Sequence, residues 1–305
     1  MPVALPGGRM PSAHVMALTL LAMVAFACNS LLCRLALTHT SIDAASFTAI
    51  RLTSGAVMLW LVARVSHGAH AGKGNWLSAV ALFVYAAGFS LAYVSLPAST
   101  GALLLFGAVQ ATMISQGFRA GERLVRLQVA GLVLALGGLV GLLSPGLSAP
   151  PLPGSLLMVS AGVAWGIYSL RGKGAGDPTT VTAGNFLRAV PIAAGLSLLM
   201  HDRASLDSAG FWYAVSSGAL ASGAGYAMWY AVLPALKATS AATVQLSVPV
   251  MAAAGGIAFL GESVTLRFVA ASVAILGGIA LVILEKHDAH ATRHAGPADT
   301  APRPG

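Results

Sequence analysis

Gly121-Glu122-Arg123-Leu124 opens a glycine-rich apolar run ending at Leu143, and Gly261-Glu262-Ser263-Val264 opens a matching run ending at Ile283, 140 residues later. Within the aligned windows Gly121/Gly261, Glu122/Glu262, Val129/Val269, Ala130/Ala270, Val133/Val273, Leu136/Leu276, Gly137/Gly277 and Gly138/Gly278 are identical. An internal repeat of this length governs architecture before any single residue is interpreted. Upstream, Tyr93-Val94-Ser95-Leu96-Pro97-Ala98 recurs as Tyr230-Ala231-Val232-Leu233-Pro234-Ala235 at an offset of 137. The same offset pairs Arg34 with Arg171, Arg51 with Arg188 and Gly88 with Gly225.

Hydrophobic residues make up 57% of the chain and charged residues 9%, against roughly 45–50% and about 25% in soluble domains. Runs of about 20 apolar residues give ten segments, centred near Ala25, Leu52, Ala86, Ala108, Val133, Gly162, Pro191, Gly218, Val250 and Val273. The expected fold is an all-α integral membrane protein with ten transmembrane helices in two inverted five-helix repeats. An odd number of spans per half inverts the second half. The expected organisation is a cytoplasmic N-terminal segment at 1–12, a first repeat at 13–143 and an outer linker at 144–153 holding four prolines. A second repeat at 154–284 and a disordered cytoplasmic tail at 285–305 complete it.

The net charge of +8 does not imply nucleic acid here, because in a membrane chain the placement of each Lys and Arg matters more than their sum. Arg64, Lys73, Arg119, Arg123, Arg126, Arg171 and Lys173 fall on one side of the expected spans, Arg34, Arg203 and Arg267 on the other. That bias places both termini in the cytoplasm. Cys28 and Cys33, five residues apart, point about 140° away from each other on a helix, so no disulfide or metal pair is expected.

No apolar segment holds a Ser, His and Asp set, a His-Glu helix pair or a phosphate-cradling glycine loop, so no enzyme, metal or cofactor is expected. Intramembrane charge is the sharper signal. Arg51 and Arg188 lie near the middle of apolar segments, where an arginine must face a partner or water. They either offer a guanidinium to a carboxylate substrate or bind backbone carbonyls within the bundle. No Asp or Glu lies deep in a span, which removes the usual proton relay. Glu122 and Glu262 are expected to cap the helices they open.

The residues expected to line a binding pocket are Asn29, Tyr85, Phe89, Gln110, Trp165, Tyr168, Tyr226, Trp229, Gln245 and Pro249. They combine aromatic faces with amide groups. Pro249 frees the carbonyl of Gln245, making that turn a site, a hinge or a simple kink. Trp60, Trp76, Trp212 and Tyr213 are expected in interfacial belts instead.

The chain resembles the EamA-type branch of the drug/metabolite transporter superfamily. The resemblance covers roughly residues 13–284 and rests on the paired Gly-Glu starts, on Ser46-Phe47-Thr48-Ala49-Ile50-Arg51, on Ala164-Trp165-Gly166 and on Val248-Pro249-Val250. Ala27-Cys28-Asn29 and Gly107-Ala108-Val109 depart from the family pattern, which has a Trp-Gly pair and a proline there. The resemblance implies a multi-pass protein of the bacterial inner membrane that moves small metabolites, amino acids among them, by alternating access. The expected partners are a small-molecule substrate, the lipid bilayer and a second copy of the chain through helices five and ten. The alternatives are a non-transporting sensor or assembly partner with the same fold, or a carrier of sugars, nucleosides or drugs.

Overall fold

The computed structural model describes residues 12–67, 74–119, 126–146, 149–172, 177–236 and 244–294. The Gly121-Glu122 motif, Lys73, Lys173 and the last eleven residues lie outside that set. The elements of the described residues are all helices: α1 (Ser12–His39), α2 (Ala44–His67), α3 (Trp76–Tyr93), α4 (Ala98–Arg119), α5 (Arg126–Leu143), α6 (Leu152–Gly172) and α7 (Pro178–Leu199). After a 3-10 turn at His201–Arg203 come α8 (Ser208–Ser216), a π-helical segment (Ser217–Ala224), α9 (Gly225–Val232), α10 (Ser247–Leu260) and α11 (Leu266–His294).

Ten transmembrane helices in two five-helix repeats are not what forms. Among the described residues seven helices, α1 to α7, are long and apolar enough to cross a membrane. The eighth apolar segment is divided, because Ser217-Gly218-Ala219-Leu220-Ala221-Ser222-Gly223-Ala224 adopts the wider π pattern between two short α-helices. The ninth yields the 14 residues of α10, about 21 Å at 1.5 Å per residue, short of the roughly 30 Å hydrocarbon core. The tenth is apolar only over Leu266–Leu281. Hydropathy windows register apolar composition, not where a helix changes its hydrogen-bonding pattern.

Helix starts follow capping chemistry. Asn75 accepts from the Ser78 amide at the start of α3, Asp177 from the Thr180 amide ahead of Pro178 in α7, and Asp207 from the Gly210 amide in α8. Asp43 does more than cap α2. Its Oδ1 accepts from the Ala45 and Ser46 amides at 2.9 and 3.0 Å, while Oδ2 accepts from the Ser205 amide at 3.0 Å. The Asp43 amide donates back to the Ser205 carbonyl, tying the α1–α2 turn to the turn before α8.

Partial burial alone would raise the Asp43 carboxyl, but hydrogen bonds from Ser46, Ser205 and Ala45 outweigh it and hold the group below its ordinary value of 3.8. A depressed carboxylate stabilises the fold fully above its ordinary value and loses that contribution as the pH falls through the lowered one. Asp43→Ala is therefore expected to lower the unfolding temperature at pH 7, by a cap's worth of about 1 kcal/mol. Thermal unfolding in detergent from pH 7 downward checks this: the gap to the unaltered protein should close on the acid side of 3.8.

The helices pack in close pairs: α2 against α7, α3 and α4 against α6, α5 against α11, and α1 against α10, α9 and the π segment. In the α5–α11 pair a Cβ on Gly138 would meet Ala274 and Ile275, and one on Gly278 would meet the Gly131 carbonyl. Those glycines are consumed within the chain, whereas nothing lies within 4 Å of a Cβ at Gly137, Gly141 or Gly277. Leu20, Trp60, Trp76, Val133, Val140, Leu199, Trp212 and Val273 point outward, the apolar exterior of a lipid-embedded protein. Cys28 and Cys33 are both free.

Candidate functional site: a buried polar network beneath an aromatic cavity

Arg51 is the eighth of the 24 residues of α2 and is 1% exposed. A guanidinium at a helix centre in a membrane costs at least about 2.5–3.5 kcal/mol unless partnered. Its Nη2 donates to the Tyr85 hydroxyl at 2.9 Å and its Nε to the Ser222 hydroxyl at 3.4 Å. The guanidinium carbon stands 4.7 Å from the Phe89 ring centre and 5.2 Å from that of Tyr85, within cation–π range. Asn29 joins the same network, donating to the Tyr85 hydroxyl and accepting from Ser217 at 2.7 Å.

Two serines of the network come from the π segment. Five residues apart, Ser217 and Ser222 would lie about 140° apart on an α-helix, and the i→i+5 turn brings them toward one face. Gly218 between them makes the approach possible, because a Cβ there would strike the Arg51 carbonyl and the Ser54 hydroxyl on α2.

Above the network lies a cavity of about 380 Å³, walled by α1, α3, α4, α6, the π segment and α9, with Gln245 ahead of α10. Its aromatic wall is continuous. Trp165 stacks on Tyr168 (ring centres 5.3 Å apart) and on Tyr226 (5.1 Å), and leans on Tyr85 (4.8 Å). Phe26 joins Tyr226 to Trp229. Amides of Asn29, Gln110 and Gln245 interrupt this surface.

The cavity runs from Asn29 and Tyr85 toward Gly172 and Pro178, where α6 ends and α7 begins. The same end of the bundle carries Arg64, Arg119, Arg126 and Arg171 at helix termini. At the opposite end the helices are tied together. Glu262 accepts from the amides of Ala98 and Ser99 and from the Ser99 hydroxyl, Arg34 donates to the carbonyls of Tyr93 and Val94, and Arg267 donates to those of Ser144 and Pro145. Residues of these ties do not line the cavity.

Residues 152–284 match the EamA-like transporter family. An uncharacterized protein of Pseudomonas aeruginosa is 57% identical over 275 residues, which span 90% of this chain and 96% of that protein. The chain belongs to the EamA-like transporter family. A protein of known crystal structure, 18% identical, matches with a TM-score of 0.65 over 92% of this chain and 99% of its own. That likeness concerns the fold.

In this EamA-like chain eight of the ten pocket residues expected from sequence border one cavity: Asn29, Tyr85, Phe89, Gln110, Trp165, Tyr226, Trp229 and Gln245. Tyr168 stands one layer back, stacked behind Trp165, its hydroxyl facing Asn185. Pro249 is not on the wall. It sits in the first turn of α10, just past a turn at Leu246 that parts this helix from the helical residues Val244 and Gln245, and in a first turn a missing N–H costs little. The two arginines separate: Arg51 enters the network, while Arg188 is half-buried on α7 and donates to the Gly184 carbonyl of its own helix.

Sequence reasoning did not single out Ser217, Ser222 or Gly218 as site residues. The signal was there in the small and hydroxyl residues crowded into 217–224, a stretch whose composition tolerates a wider turn. Glu262 was also misassigned. Gly261, at φ 64° in the left-handed region, ends α10 and lets the Glu262 amide turn back to the Gly256 carbonyl. The carboxylate is thereby carried to the start of α4, not to the helix it precedes. Among the described residues no group of three His, Cys, Asp or Glu side chains is placed to hold a metal.

Proposed function

We propose that this protein carries small organic solutes across the bacterial inner membrane by alternating access, with amino acids or similar metabolites as cargo and export as its physiological direction. The observation that carries this reading is the aromatic and amide-lined cavity within the bundle, whose lining extends to Gly172 and Pro178 at one end while the Glu262, Arg34 and Arg267 ties lie at the other. A solute-sized space reached from one side is what a carrier caught in one of its two states requires. The arginine-rich end is taken as cytoplasmic, since basic residues accumulate on that side. The open state is then the inward-facing one.

Ring faces suit flat or apolar solute bodies, and the amides suit hydrogen-bonding groups. Among the described residues no carboxylate lines the cavity, which disfavours polyvalent cations and any coupling through a buried acid.

A competition panel in proteoliposomes tests the reading, comparing aromatic, aliphatic and hydroxy amino acids with nucleosides and lipophilic cations. Trp165→Ala, which removes the ring stacked between Tyr168 and Tyr226, is expected to cut uptake severalfold, given about 0.5–1.5 kcal/mol for each aromatic pair lost. Gln245→Ala is expected to cut it severalfold. Both variants should insert in the membrane normally. Full transport by both would remove the cavity from the mechanism, and flux of lipophilic cations alone would overturn the cargo class.

A further inference from the structure

Among the described residues the buried cation at Arg51 has no anion partner. Nη1 is enclosed and finds no hydrogen-bond partner among the described residues, while Nε and Nη2 are held only by neutral hydroxyls. Apart from Glu285 and Asp288 beyond the apolar part of α11, acids of the described segments lie at Asp43, Asp177, Asp202, Asp207 and Glu262, in turns or at helix caps. A guanidinium so placed is an incomplete ion pair, since a buried charge is tolerated when it is paired. The three side chains that hold it, Tyr85, Ser222 and Phe89, all border the cavity. What enters the cavity is one hydroxyl layer away from a desolvated cation.

Arg188 offers no equivalent, being off the cavity wall and bonded to Gly184. The site therefore has one anion-seeking end and a long aromatic body, and among the described residues that line it no acid is placed to receive an ammonium group.

We propose that the cavity selects organic monocarboxylates with an aromatic or apolar body, Arg51 receiving the carboxylate and the Trp165 wall receiving the body. The carboxylate displaces the Ser222 hydroxyl from the guanidinium and takes the Nη1 donor, giving the two-pronged pairing that a planar guanidinium favours. An α-ammonium is dispensable. This rests on the transport reading above and defines its cargo by the carboxylate and an aromatic or apolar body, with or without an ammonium group.

The test uses the full-length protein, first in detergent and then in proteoliposomes, with four matched probes: 3-phenylpropionate, phenylalanine, 3-phenylpropionamide and phenethylammonium. Ligand-induced thermal stabilisation should give affinities for the two carboxylates within a few fold of each other, and at least about tenfold weaker binding of the amide and the amine. Arg51→Gln should abolish the preference of carboxylate over amide, Arg51→Lys should retain part of it, and Arg188→Gln should leave it unchanged. Should the Arg51 variants not fold, the probe comparison on the unaltered protein decides. Equal affinity for 3-phenylpropionate and its amide, or preference for the amine, overturns the proposal while solute transport stands. Carboxylate binding without flux of any probe or panel solute leaves the Arg51 site standing and removes the transport reading instead.

Discussion

Gly218→Val is expected to disable the protein more severely than loss of any single cavity side chain. A Cβ at this position lands on the Arg51 carbonyl and the Ser54 hydroxyl, so the clash is with α2 backbone, which cannot rotate away as a side-chain tip can. Either α2 or the π segment must retreat. Retreat parts Arg51 from Ser222 and Asn29 from Ser217, leaving buried polar groups unpaired. Overpacking costs about 1–3 kcal/mol, and each orphaned group adds about 1–3 kcal/mol more. Thermal unfolding in detergent should show a large drop, and uptake should vanish. Gly137→Ala is the control: nothing lies within 4 Å of a Cβ there, and alanine favours a helix over glycine, so stability should hold or rise slightly. An unfolding temperature unchanged by Gly218→Val would mean that the π segment and α2 do not meet as described.

Glu262→Ala is expected to shift the protein toward opening at the end opposite the cavity mouth. The carboxylate gathers the amides of Ala98 and Ser99 and the Ser99 hydroxyl at the positive end of α4. It reaches there from the turn between α10 and α11, so it ties together elements more than 160 residues apart in the chain. A lost cap costs about 1–2 kcal/mol, which moves an open-to-closed ratio roughly five- to thirtyfold. Cys33 provides the readout. It is fully buried beside Arg34, whose guanidinium holds the end of α3. In a Cys28→Ser background a water-soluble thiol reagent should modify Cys33 several times faster in Glu262→Ala than in the unaltered protein. Glu262→Gln keeps an acceptor oxygen and should fall between. No change in the Cys33 rate would show that this contact does not control access.

The aromatic and amide positions were legible because a chain with so few polar groups in its apolar segments makes each one conspicuous. Asn29, Gln110 and Gln245 stand out against leucine and alanine, and the structure gathers them at one cavity with Tyr85, Trp165 and Tyr226. Other features were hidden for particular reasons. The role of Ser217 and Ser222 depends on a π turn, which an α-helical periodicity disperses. Pro249 reads as a break, and the helical pattern is interrupted at Leu246, one turn ahead of it; what the residue pattern did not give is that the cavity wall stops at Gln245. The count of ten spans failed at the same place, where small residues let the helix widen and where α10 proved to be 14 residues long.

Sequence alone determined the solvent this protein lives in, its helical make-up and the scarcity of acids near its arginines, because these follow from composition and local apolar runs. Tertiary structure decided which of two similar arginines is buried in the hydroxyl network beside the cavity. Arg51 and Arg188 occupy matching positions in their apolar segments, yet one is met by hydroxyls across a glycine contact at Gly218 and the other by its own helix carbonyl. It also decided that Glu262 serves α4. Both outcomes depend on surfaces distant in the chain coming within hydrogen-bonding distance, and that proximity is set by packing, which no local pattern of residues encodes.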